Sequence, residues 1–317
     1  MKTIANGSTI LSLAALCLAC SKPPEDAVNR PSLRQASVSQ VARGEQLSAM
    51  LGCRFCHMAM GDAGPDFARP FAGGFEVHES FGTWRAPNIT QDPRTGIGSW
   101  TDAAIVAAIR EGVRPDGTRL YPVMPYASYN RMTDEDAHAL VAFLRTVPAI
   151  DHAVEPNAEL ALPRPVVAKP PNVPDPVADP TRHGEYLVTI MACTMCHTPS
   201  GPDGLPDPRK PFAGGVAIEL PMLGTGTLYA SNITSDRSTG IGAWSRAELD
   251  DAVRTPGVGG ARIQAYLTHW NGMSASDLAA IVAYLATIPP IENAVPRSTF
   301  TPGVADRGRP ITARRGR

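Results

Sequence analysis

Two short stretches have the residue types and spacing of a covalent cofactor site: "CRFCH", Cys53 to His57, and "CTMCH", Cys193 to His197. In each, two thiols three residues apart share one side of a helical turn, where both can bond to the vinyl groups of one haem, and the next imidazole reaches the iron. Cys53, Cys56, Cys193 and Cys196 are therefore expected to attach two haem c groups covalently, with His57 and His197 as iron ligands. Zinc would need two further ligands at suitable spacing, which neither stretch supplies, and a thioredoxin-like dithiol would need a βαβ context that is absent. A ligating imidazole usually donates its second ring N–H to a carbonyl or carboxylate. The proline-bearing loops Pro65 to Pro70 and Pro206 to Pro211 are the expected source, with plain turn chemistry as the competing account of those prolines.

The elements that must position these groups occur twice. "RGEQLSAMLGCRFCH" from Arg43 matches "HGEYLVTIMACTMCH" from His183; "PFAGG", "NIT" and "TGIGSW" return in the same order, and so does "MTDEDAHALVAFLRTVPAI" as "MSASDLAAIVAYLATIPPI". One module has been duplicated. Each copy reads as three helices joined by long loops. The first runs near Gly44 to His57 or Gly184 to His197, the second begins after Trp100 or Trp244, and the last begins at Thr133 or Ser274. "SRAE", Ser245 to Glu248, has capping-box spacing. Leu140, Val141 and Leu144, like Ile281, Val282 and Leu285, fall on one helical face before a proline ends the pattern. No strand pattern of comparable strength is present, so the expected class is all-α. Gly73, Gly74, Gly214 and Gly215 are expected where backbone runs close to a flat ligand, or in ordinary turns. The Asn of each "NIT", with Trp100 and Trp244, are candidate donors to haem propionates; core packing equally suits the tryptophans.

The whole chain has 317 residues, 29 basic against 30 acidic, and a pI near 6.7. That balance offers no basic surface for nucleic acid, and this class of partner is excluded. Aromatic residues make up only 6%, so a large flat prosthetic group is expected to supply part of the core. Lys2 followed by the apolar run Ile10 to Ala19, too short to span a bilayer, fits an export signal. "CLAC" at its end resembles a bacterial lipobox, which would make Cys20 a lipidated first residue and anchor the chain to a membrane surface; plain signal cleavage is the other reading. No other segment could span a membrane. The expected division is a signal over 1–20, a flexible spacer over 21–37, a first domain over 38–150, a proline-rich extended linker over 151–180, a second domain over 181–290 and an Arg-rich disordered tail over 291–317.

The run "GCRFCH", then "APNITQDPRTGIGSW" and "IREGVRPDGTRLYPVMPYASYNRMTDEDAHAL", resembles the cytochrome c subunits of membrane-bound alcohol, gluconate and related dehydrogenases, over both copies from about Ala42 to Pro290. The resemblance implies tandem class I cytochrome c domains, each a few helices and long loops wrapped around a covalent haem. It also implies a periplasmic dihaem c-type cytochrome that relays single electrons from a dehydrogenase or other donor to a respiratory acceptor, as a carrier rather than a catalytic subunit. That family commonly has three haem domains, and this chain has two. The family pattern makes the methionine of "MPY", Met124, the sixth ligand of the first iron.

Aligning the terminal helices at Met132 and Met273 puts Ala265 where the first copy has Met124. Alanine cannot ligate iron. His269 in the same loop, Met273, an open or water-bound iron, or Gln264 and other groups are the available alternatives. Thioether ligation raises a haem's potential, so a bis-histidine second site would have the lower one. An open second iron would instead suit a dihaem peroxidase-like enzyme or a gas and ligand sensor.

Overall fold

In a computed structural model of the chain, the structure describes residues 37–61, 64–79, 81–168, 178–201, 206–219, 224–254, 257–258, 261–262, 273–299 and 301–302. Cys17, Cys20, Gln264, Ala265 and His269 lie outside the described residues.

The first module begins with α1 (Val38–Met50), capped where the Ser37 hydroxyl accepts the Gln40 N–H. The single helix expected up to His57 is broken. Gly52 turns left-handed at φ +69°, and the short α2 (Cys53–Cys56) restarts at an angle. α3 (Asp102–Glu111) is capped by Thr101 and stopped by Gly112 at φ +65°. A single turn, α4 (Tyr126–Tyr129), precedes α5 (Asp134–Leu144), which Thr133 caps. The second module repeats the plan. In α6 (Pro180–Ile190), Asp179 caps the first turn and Pro180 sits where a helix needs no N–H. It is followed by α7 (Cys193–His197), α8 (Arg246–Arg254) and α9 (Ala275–Leu285), the last capped by Ser274. The Ser245 to Glu248 capping box is present: the Glu248 carboxylate accepts the Ser245 N–H at 2.7 Å and the Ser245 hydroxyl accepts the Glu248 N–H at 3.3 Å.

α1 packs on α5, and α6 on α9. Both crossings are close because each has a glycine at the contact: a Cβ on Gly44 would lie 1.9 Å from the Ala139 carbonyl oxygen, and one on Gly184 the same 1.9 Å from that of Ala280. Leu140, Val141 and Leu144 are buried, as are Ile281, Val282 and Leu285, and one apolar cluster runs through both modules. Met132 and Met273, at the starts of α5 and α9, are buried in it.

Where the modules meet, Arg43 pairs with Asp136 of its own module at 2.9 Å and reaches Asp277 of the other at 2.8 Å. The Tyr186 hydroxyl donates back across to Asp136 at 2.7 Å, and His183 bonds Asp277 at 2.7 Å. Burial opposes the charge on Arg43, and the two aspartates outweigh it, raising its pKa.

The all-α expectation needs correction. Helices form the core, but the described residues also include five two-stranded antiparallel ladders: β1 (Ala59–Gly61) with β2 (Gly64–Asp66), β3 (Glu76–Glu79) with β4 (Gly82–Arg85), β5 (Ala217–Glu219) with β7 (Thr227–Tyr229), β6 (Gly224–Thr225) with β10 (Thr301–Pro302), and β8 (Gly257–Val258) with β9 (Ala261–Arg262). Each strand has two to four residues, too few to establish an alternating pattern.

Residues 151–168 have no regular structure, as the proline content predicts, yet they bind the first module as a strap rather than bridging freely. Leu160 is buried beside Trp84 and Tyr121, the Ala161 N–H donates to the Phe81 carbonyl, and the Tyr126 hydroxyl donates to that of Pro165. Residues 291–299 repeat this path in the second module. Ser298 accepts the Tyr229 N–H as Asn157 accepts that of Arg85, so the boundary expected at residue 290 falls before a packed segment. Among the described residues no helix is long and apolar enough to cross a membrane.

Candidate functional site

The site builds from α2 outward. Cys53, Cys56, Cys193 and Cys196 are free thiols. Burial pushes Cys53 and Cys193 up to about 12 and Cys56 to about 11, so they are neutral at physiological pH. Among the described residues no cluster of three or more His, Cys, Asp or Glu could hold a metal ion.

His57 follows α2 directly, and its Nδ1 lies 2.8 Å from the carbonyl oxygen of Pro87; His197 Nδ1 stands 2.7 Å from that of Ser231. The proline loops expected to supply these carbonyls do not. They instead lead into turns in which the Gly73 N–H donates to the His57 carbonyl at 2.9 Å and the Gly214 N–H to that of His197 at 2.7 Å. Gly73 sits at φ +77°, and a Cβ there would stand 2.5 Å from the Pro87 carbonyl carbon. The close approach expected of these glycines is therefore to the chain's own 86–88 segment, and it is what presents the Pro87 carbonyl to His57. Gly74 and Gly215 continue the same turns at φ +103° and +95°. With Nδ1 held, each imidazole leaves Nε2 as its available nitrogen. Burial lowers the pKa of both rings and keeps them neutral, which a lone-pair donor requires.

His57 and Met124 line one cavity of about 450 Å³. Met124 is carried by the loop between α3 and α4, fixed by the Leu120 N–H donating to Gly112 at 2.7 Å and by the Tyr126 N–H donating to Met124 at 2.7 Å. The structure thus brings together the two first-module residues that the sequence put 67 positions apart.

Asn88 lines the same cavity, with its amide N–H groups already committed within the protein. Its side-chain amide donates to Thr95 at 3.0 Å and to the Ile150 carbonyl at 2.8 Å, while its oxygen accepts the Thr90 N–H. Asn232 repeats this latch through Thr239, Ile291 and Thr234. Trp100 packs on the core, and Trp244 is 44% exposed. The groups sequence reasoning missed are Tyr121, Arg119 and the strap's Arg164, all in the cavity wall. "RLY" lay within the quoted run without a signal of its own, and nothing in spacing ties Arg164 to His57.

The second module keeps Cys193, Cys196 and His197 but exposes their surroundings: Met195 is 50% exposed, whereas its counterpart Phe55 packs against Phe75 with ring centroids 5.3 Å apart. Met273 occupies the core position that Met132 occupies in the first module, which accounts for it as packing.

Residues 41–148 match the cytochrome c family model. The chain is 33% identical over 279 residues to a protein named "Diheme cytochrome c-type" from Cereibacter sphaeroides, across 83% of this chain and 90% of that one. It is 31% identical over 280 residues to the cytochrome c subunit of a quinone alcohol dehydrogenase from Gluconobacter oxydans, across 81% of this chain and 56% of the relative. To the cytochrome c subunit of gluconate 2-dehydrogenase from Pantoea cypripedii it is 32% identical, across 80% and 60%. The chain therefore spans little more than half the length of these two dehydrogenase subunits.

Proposed function

Because this chain belongs to the cytochrome c family, we propose that it is a tandem class I dihaem carrier relaying single electrons between a dehydrogenase or other donor and a respiratory acceptor. The observation that carries this reading is one cavity lined by both His57, with Nδ1 already engaged by a carbonyl, and the Met124 thioether. The donor set fits haem c: two thiols beside a neutral imidazole, and a soft sulfur elsewhere in the same wall.

Bound haem supplies a one-electron ferric/ferrous couple. Cys53 and Cys56 would tether it as thioethers, and His57 would offer Nε2, its ring orientation fixed by Pro87. Met124, in the same cavity wall, would hold the iron together with His57, and a thioether ligand would favour the reduced state and raise the potential. Cys193, Cys196 and His197 take the same roles in the second module, supported by the matching His197 to Ser231 contact. His269 is the proposed sixth ligand there.

The names of the relatives support a dehydrogenase as electron donor. The Ile10 to Ala19 run and Cys20 support export to the periplasm with a lipid anchor at a membrane surface.

The test is the matured protein. It should contain two haems per chain, with low-temperature magnetic spectra giving His/Met ligation at one and bis-His at the other. His269→Ala should change only the second spectrum, and the reduced parent should not bind carbon monoxide. One haem per chain, or carbon monoxide binding at the first site, would sink the reading; binding at the second site alone would turn it toward a peroxidase-like or ligand-sensing role.

A further inference from the structure

The cavity between His57 and Met124 carries more positive charge than its own side chains neutralise. Its wall includes four arginines, Arg85, Arg114, Arg119 and Arg164, against two carboxylates, Asp116 and Glu155. The surplus matches two carboxylate ligands. Arg85 is matched by Glu76 at 2.6 Å and Glu155 at 3.7 Å, and Arg114 faces Asp116. That leaves Arg119 and Arg164. Arg119 has no ion pair among the described residues, and the only one of Arg164 is with Glu159, which is 82% exposed and so contributes little.

Both line the cavity wall, and Arg164 is tied to the backbone of Arg119. Arg164 donates through Nη1 to the Arg119 carbonyl at 3.3 Å, and its guanidinium carbon stands 3.9 Å over the Tyr121 ring. Its Nε is buried and, among the described residues, has no hydrogen-bond partner. The Tyr121 hydroxyl accepts from Arg164 and from the Leu160 N–H, and among the described residues it donates to nothing. A guanidinium with an unmatched charge and an unused N–H, beside a phenol with an uncommitted proton, is a set of donors suited to a carboxylate. The haem expected in this cavity has two, its propionates, and Asn88 is already saturated elsewhere.

We propose that Arg119, Arg164 and the Tyr121 hydroxyl bind the propionates of the first module's haem, and that the strap, through Arg164, sets that site's reduction potential. This rests on the haem reading above. An unpaired propionate stabilises ferric iron by its negative charge, and pairing with arginine offsets that effect. The strap therefore couples the connection between modules to the redox balance within one of them. The second module serves as an internal control: alignment of Asn157 with Ser298 puts Ala305 opposite Arg164.

The experiment uses full-length matured protein, with haem per chain measured first. Spectroelectrochemical titration across neutral pH then compares the parent with Arg164→Gln, Arg119→Gln and Arg164→Lys, and with Arg246→Gln as an equal charge change in the second module. Arg164→Gln and Arg119→Gln should lower the first potential, so that the reduced-to-oxidised ratio at a fixed applied potential falls severalfold, and should steepen its pH dependence. The second potential should stay in place. Arg164→Lys, which keeps the charge, should recover most of the shift and guards against strap loss in the glutamine variant. Unchanged first-site potentials in both glutamine variants, or equal shifts at both sites, would overturn the proposal. Parent protein without haem would overturn the functional reading instead.

Discussion

Gly44→Ala adds one methyl group at the α1–α5 crossing. The new carbon would stand 1.9 Å from the Ala139 carbonyl oxygen, 2.6 Å from its carbon and 2.8 Å from Phe143 Cβ. Ordinary contact begins near 3.4 Å, so the helices must separate by about 1.5 Å. The obstacle is backbone, which cannot rotate aside, so the cost belongs at the upper end of the ~1–3 kcal/mol typical of overpacking. Alanine returns about 1 kcal/mol of helix propensity. The net loss is about 2 kcal/mol, or roughly 4–8 °C in Tm at about 2–4 °C per kcal/mol for a chain of this size class. Gly184→Ala meets the same 1.9 Å obstacle at Ala280 and should melt with a similar drop. Gly52→Ala meets nothing within 4 Å and should lose only the left-handed backbone penalty, about 1 kcal/mol. Calorimetry of matured protein at equal haem content measures all three. If Gly44→Ala or Gly184→Ala melts at or above the parent, the close-crossing argument is wrong.

Other perturbations probe the junction, the caps and acid stability. Arg43→Ala leaves Asp136 and Asp277 buried without their shared cation and should cost about 3 kcal/mol or more, whereas Tyr186→Phe, which removes two hydrogen bonds across the junction, to Asp136 and from the Thr133 N–H, should cost about 2 kcal/mol; denaturant titration that ranks them in reverse would refute the central role of Arg43. Ser245→Ala should destabilise α8 by about 1 kcal/mol, read as faster hydrogen exchange of its first-turn amides, and unchanged exchange would contradict the capping box. Asp236 accepts the Thr239 N–H, the Thr239 hydroxyl and the Ser238 hydroxyl, which hold its carboxyl down to about 2. Its contribution is complete above its unfolded value near 3.8 and is lost as pH falls through 2. Asp236→Asn should therefore flatten the stability-against-pH slope in that window, and a slope equal to the parent's would show that the turn does not depend on this charge.

What the sequence determined by itself is local. The two CxxCH stretches, the helix starts at Thr133 and Ser274, the apolar faces around Leu140 and Ile281 and the Ser245 to Glu248 box all involve residues within a turn or two of one another, and the duplication shows as the same local motifs recurring in the same order. Chain geometry leaves such neighbours little choice. The tertiary structure alone decided which carbonyl meets His57, 30 residues away, and that Asn88 latches its loop onto the Ile150 carbonyl. It also decided that residues 151–168 bind the first module, placing Arg164 over Tyr121, 43 residues apart in the chain. Strands of two to four residues left no periodic trace to read. Contacts of this kind depend on the path of the intervening chain, and that path is fixed only when the helices close on one another at Gly44 and Gly184.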